Sequence, residues 1–219
     1  MTTVLSEIEV RVLASLVEKE ITTPEYYPLT LNALTNACNQ KNNRNPVTAY
    51  TDDQVSHALE SLREKNLAYV FYGSTSRVPK YKHVMPEVMH LSQPEAALLC
   101  VLMLRGPQTP GELRANASRL YEFQGLEEIE QTLNSLIARD GEPLVARLPR
   151  QVGQKEIRFA HLLSGEVVSD ESVVSILPRR AAAASQTDRV AKLEEEVSAL
   201  KVQVEELRQR LETFKQQFD

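Results

Sequence analysis

The chain has 219 residues, 42% of them hydrophobic and 25% charged, with 25 Lys and Arg against 30 Asp and Glu. That balance belongs to a globular chain of one or two domains and excludes disordered and fibrous classes. No apolar run approaches the roughly 20 residues needed to cross a bilayer, and the N-terminus lacks a basic region followed by an apolar one, so a cytoplasmic protein is expected.

In chain order, Ser6 with Glu9 three residues later makes a capping box, and Ile8, Val12 and Leu16 supply a buried stripe for a first helix ending near Glu20. The stiff segment Thr22 to Pro28 leads to a short helical segment, Thr30 to Asn36. A polar, turn-forming and basic loop follows, Asn39-Gln40-Lys41-Asn42-Asn43-Arg44-Asn45-Pro46-Val47. A third helix, Thr51 to Lys65, is capped by Thr51 and leads into two strand-like runs, Leu67 to Tyr72 and Tyr81 to Val84. Arg77, Lys80 and Lys82 are assigned to the loop between those runs.

The same order then repeats. Leu91-Ser92-Gln93-Pro94-Glu95 opens a second long helix as Leu5-Ser6-Glu7-Ile8-Glu9 opened the first, followed by segments Thr109 to Ala117 and Leu126 to Arg139. Val55, Leu59 and Leu62 return 74 residues on as Ile129, Leu133 and Leu136. A second pair of strands, Leu144 to Leu148 and Glu156 to His161, closes the copy, with Arg150 and Lys155 between them. Three helices and a β-hairpin, built twice, predict a mainly α chain with small β-hairpin wings: tandem winged-helix domains over 1–88 and 89–163. A linker, 164–188, precedes a C-terminal coiled coil over 189–219.

The tail carries an unbroken heptad seam. Val190, Leu193, Val197, Leu200, Val204, Leu207, Leu211, Phe214 and Phe218 are separated by alternating steps of three and four. Such a narrow, sustained stripe requires a partner helix, and self-association as a homodimer is the expectation. The β-branched residues among the alternate positions favour a two-stranded parallel coil, while the flanking charges leave orientation open, since Glu196 facing Lys201 attracts and Arg210 facing Lys215 repels.

Catalysis and cofactor chemistry find no motif. His57, His83, His90 and His161 are scattered, none at metal-ligand spacing, and the seven glycines form no phosphate loop. Asp52-Asp53 and Glu127-Glu128 fall in first turns of helices, where carboxylates complement the macrodipole. Cys38 and Cys100 stand among apolar helical neighbours, as buried free thiols do. The reading is therefore non-enzymatic, without metal or cofactor.

Charge divides the remaining choices. With Val55, Leu59 and Leu62 inward, the third helix turns Asp53, His57, Glu60 and Glu64 outward, which opposes phosphate. The second copy turns Glu127, Gln131, Asn134 and Ala138 outward, and its Gln and Asn are able to read adenine edges. Material for a nucleic-acid contact lies around the first copy: Gln40, Lys41, Asn42, Asn43 and Arg44 in the loop, and Arg77, Lys80 and Lys82 in the wing. The first expectation is a dimeric DNA-binding or transcription-associated protein. The alternative is a scaffold that assembles a protein partner without DNA, for which acidic helix faces suit a basic surface.

The run Leu29-Thr30-Leu31-Asn32-Ala33-Leu34, continued by Cys38 to Val47 and by Leu91-Ser92-Gln93-Pro94-Glu95, closely resembles the bacterial YceH-like family of uncharacterised tandem winged-helix proteins. The resemblance covers about residues 4 to 166. It implies two winged-helix domains in a cytoplasmic protein and assigns no catalytic or binding residue.

Overall fold

Seven helices and two small antiparallel sheets make up residues 4–72, 78–139, 142–150 and 156–165, which the computed structural model describes. Arg77, Lys155, the linker beyond Gly165 and the nine heptad residues from Val190 to Phe218 lie outside the described residues. Among the described residues no helix is long and apolar enough to cross a membrane.

The long helix α1 (Glu7–Thr22) begins where Ser6 caps it: the Glu9 amide donates to the Ser6 hydroxyl, and Glu9 Oε2 accepts the Ser6 amide at 2.6 Å. A short strand β1 (Leu29–Thr30) then turns into α2 (Leu31–Cys38), whose cap is Thr30. After the polar loop comes α3 (Asp52–Glu64), held at its start by a Thr51–Gln54 capping box. Strands β2 (Ala68–Phe71) and β3 (Lys80–His83) follow, and β1 joins them in the order β1-β3-β2. Lys80 and Lys82 are therefore strand residues, paired with Phe71 and Tyr69, and not part of the turn.

After the single turn α4 (Met85–Val88) the plan recurs. Helix α5 (Gln93–Arg105) has a Ser92–Glu95 capping box, α6 (Pro110–Ala117) is capped by Thr109, and α7 (Leu126–Ile137) leads to β4 (Val145–Arg147) paired with β5 (Phe159–His161). An isolated bridge between Gln108 and Phe159 stands just before α6, as β1 stands just before α2. Helices followed by short antiparallel ladders are compatible with a winged-helix plan.

The two halves share one hydrophobic core. Val55, Leu59 and Leu62 are buried with Ile129, Leu133 and Leu136, and their cluster continues through both long helices. Helix α1 is covered well beyond the Ile8–Val12–Leu16 stripe: Val10, Leu13, Ala14 and Val17 are buried too. The reason is α5, an almost wholly apolar helix that packs along it, with the Cys100 thiol 3.4 Å from the Ala14 carbonyl. Both cysteines are free and buried, and burial pushes the Cys38 thiol up to about 11. The Leu5 amide donates to the Leu163 carbonyl at 2.7 Å, tying the start of the first half to the end of the second.

Candidate nucleic-acid interface

Helix α2 ends at Cys38 and leaves carbonyls without intrahelical donors, and the loop that follows supplies them. Arg44 turns inward. Its Nε and Nη2 donate to the Ala37 carbonyl at 3.2 and 2.9 Å, and Nη1 and Nη2 reach the two oxygens of Glu18 at 3.1 and 2.6 Å. Arg11 donates to the carbonyls of Cys38, at 3.3 Å, and of Pro46, at 2.8 Å. Burial, and then the neighbouring Arg44 charge, lower the Arg11 guanidinium from its ordinary value. The Asn39 side chain closes the loop, exchanging two 2.8 Å hydrogen bonds with the Tyr50 backbone.

The loop also docks on the end of α5. The Asn45 amide donates to the Leu104 carbonyl at 2.9 Å, its side chain to the Arg105 carbonyl at 3.3 Å, and Asn43 Oδ1 accepts from Arg105. Asn43 sits at φ 60°, a left-handed position that asparagine tolerates better than most residues.

Of the eight residues expected to meet phosphate, Arg44 is thus a correction. Its side chain is 0% exposed and its charge is committed to Glu18, so it is unavailable to a ligand. Gln40 Oε1 accepts from Arg44 at 3.3 Å, and Asn43 is engaged with Arg105, so both support the loop. Lys82 lies 3.5 Å from Glu20, which also lies 2.8 Å from His83 Nε2. Lys41 and Asn42 are exposed, Lys80 is half-buried on β3, and Arg77 lies outside the described residues. Among the described residues, Gln40, Lys41, Asn42 and Asn43 line one cleft, and Lys80 and Lys82 of β3 are not on that lining.

The outward faces of the third helices carry the signs expected from the sequence. Asp53, His57, Glu60 and Glu64 of α3 are all exposed, and His57 Nδ1 lies 2.8 Å from the Asp53 carbonyl. On α7, Gln131 and Asn134 are exposed, with Gln131 donating to Glu127 at 3.4 Å and Asn134 accepting from Arg147 at 2.7 Å. The Arg147 guanidinium also lies over the Phe159 ring, 5.6 Å from its centroid. Beside them a groove of about 480 Å³ is lined by Leu126, Glu130, Arg147, Arg150 and Glu156 among others, so acids offset its arginines.

A concentration of positive charge lies against the loop that carries Gln40, Lys41, Asn42 and Asn43. Lys19, Lys41, Arg105 and Arg119 line a cleft of about 360 Å³ between the ends of α1, α5 and α6. Only Lys41 among them belonged to the expected set. These four are up to 100 residues apart in sequence, and no local pattern links them.

The model of the family described as "Protein of unknown function, DUF480" matches residues 5–154. A UPF0502 protein of Geotalea uraniireducens is 51% identical over 217 residues, covering 98% of each chain. Another, of Opitutus terrae, is 53% identical over 198 residues, 90% of this chain and 84% of that protein. One of Pelobacter propionicus is 48% identical over 221 residues and the whole of both chains.

Proposed function

The chain belongs to the DUF480 family of proteins of unknown function, and we propose that it is a non-enzymatic scaffold: tandem winged-helix modules, paired into a homodimer by the C-terminal heptads, that hold a basic protein partner against α3. The observation that carries this reading is the exposed face of α3, where Asp53, Glu60 and Glu64 surround His57. Affinity for nucleic acid rests on neutralising phosphate, and a helix of this sign repels it. The same face steers a cationic protein surface toward itself and disfavours acidic ones. The withdrawal of Arg44 and the pairing of Lys82 with Glu20 remove two of the charges that would have offset it.

A second reading, a dimeric DNA-binding or transcription-associated protein, is favoured by the other half. There Gln131 and Asn134 are exposed on α7, Asn134 accepts from Arg147 at 2.7 Å, and Arg147 lines a groove with Arg150, side chains that a helix reading base edges and a wing meeting the backbone would use.

Fluorescence anisotropy of the full-length chain separates the two. A labelled lysine-rich peptide is expected to bind at low salt and to lose most of that affinity in Glu60→Gln with Glu64→Gln, while random duplex DNA does not bind. Salt-sensitive binding of the duplex that Arg147→Ala with Arg150→Ala abolishes would overturn the scaffold reading in favour of DNA.

A further inference from the structure

Four separate segments deliver cations to the cleft between the two halves. Lys19 comes from the last turn of α1, Lys41 from the loop after α2, Arg105 from the last turn of α5, and Arg119 from just beyond α6. Its volume, about 360 Å³, falls within the range of roughly 300 to 1,000 Å³ common to small-ligand sites. Among the described residues the only acid on its lining is Glu18, and both oxygens of that carboxylate are already occupied by Arg44, at 3.1 and 2.6 Å. Lys19 reaches Glu18 only at 4.0 Å. Among the described residues Lys41 and Arg119 make neither a hydrogen bond nor an ion pair through their side chains.

Ordinary helix-end chemistry accounts for part of this. Cations in a last turn complement the macrodipole, which suffices for Lys19 and Arg105. It does not suffice for Lys41, which is in a loop, or for Arg119, which follows the end of its helix. Gathering four like charges around one concave space costs repulsion that an anion of matching charge would relieve. Asn42 on the same lining adds an amide group suited to phosphate oxygens.

We infer that this cleft binds a small phosphate-bearing ligand of the pyrophosphate or nucleoside diphosphate class, held by Lys19, Lys41, Arg105 and Arg119. A single carboxylate would leave most of the cationic charge unmatched, whereas two linked phosphates carry several negative charges within one pocket. A DNA backbone is the poorer fit, because a duplex is convex and offers its phosphates along a ridge, and these cations surround a hollow. The ligand lies against both halves and so links residues of 1–88 with residues of 89–163.

Isothermal titration of the full-length chain with inorganic pyrophosphate and with ADP, at low salt, tests the assignment. One saturable site is expected, weakened roughly tenfold or more in Lys41→Ala with Arg119→Ala and unchanged in Lys80→Ala. In the unaltered chain pyrophosphate is expected to protect Lys41 from acetylation, read by mass spectrometry, with Lys80 as the reference. That second measurement holds even where the double variant fails to fold. No saturable heat from either probe, affinity indifferent to the double variant, or absence of protection at Lys41 overturns the proposal. So does binding of duplex DNA that depends on Lys41 and Arg119 while neither small probe binds, since it would give these cations to a nucleic-acid backbone.

Discussion

Arg44 meets both oxygens of Glu18, at 3.1 and 2.6 Å, beneath a loop whose composition reads as exposed and phosphate-seeking. The Arg44 side chain is 0% exposed and that of Glu18 only 11%, so the pair is a desolvated one inside the first half. Breaking such a pair by removing one partner strands a buried charge, at about 3 to 5 kcal/mol. Arg44→Ala is expected to lose stability of that order, read from the midpoint of urea unfolding. The loop also docks on the last carbonyls of α5, so the same variant should raise hydrogen exchange at the Asn45 amide, which donates to Leu104. An unfolding midpoint equal to that of the unaltered chain would return Arg44 to the surface.

What the sequence discloses follows the reach of each interaction. Capping boxes span three residues, and those at Ser6 and Thr51 stand where the residues indicate. Helical periodicity spans a few turns, and Val55, Leu59, Leu62, Ile129, Leu133 and Leu136 are each at most 1% exposed. The near-complete burial of α1 is not legible in the same way. It depends on α5, which packs across a face whose partner lies some 86 residues away in the chain, as Cys100 and Ala14 show. Arg44 is hidden for a similar reason. An arginine among asparagines has the composition of a solvated turn, and only the fold reveals that the ends of α2 and α5 converge there with carbonyls to satisfy. The cationic cleft is more distant still, because each of its four charges taken singly is ordinary.

The heptad residues Val190 to Phe218 give a prediction that rests on sequence pattern. Nine apolar side chains recur there at alternating steps of three and four, the spacing with which a helix pairs along one stripe with a second helix. Removing residues 189–219 is expected to turn the dimer into a monomer on sedimentation equilibrium. Leu200→Asp with Leu207→Asp, on the same seam, should do so without shortening the chain. A truncated chain with the mass of a dimer would place the association surface elsewhere.

Glu9 offers a pH test of how α1 is fastened to α3. Lys65, just after α3, donates to Glu9 Oε1 at 2.5 Å and to the Val4 carbonyl at 3.3 Å, and the Glu9 side chain is only 6% exposed. Burial alone would raise this carboxyl, but hydrogen bonds from Lys65, Ser61 and Ser6 outweigh it and lower the value from 4.5 to about 2. The folded chain therefore binds this proton less readily than the unfolded chain does. The stabilisation is complete above 4.5 and is lost as pH falls through the window down to about 2. Glu9→Gln keeps the size of the side chain and removes the charge, so near neutral pH the variant should be less stable by about 2 kcal/mol, the scale of a charge-assisted hydrogen bond. Toward the acid end of the window the unaltered chain loses the same charge by protonation, and the two stabilities should converge. Urea midpoints for both chains across that range decide the matter: a difference that stayed constant with pH would assign Glu9 a packing role and remove the charge from the account.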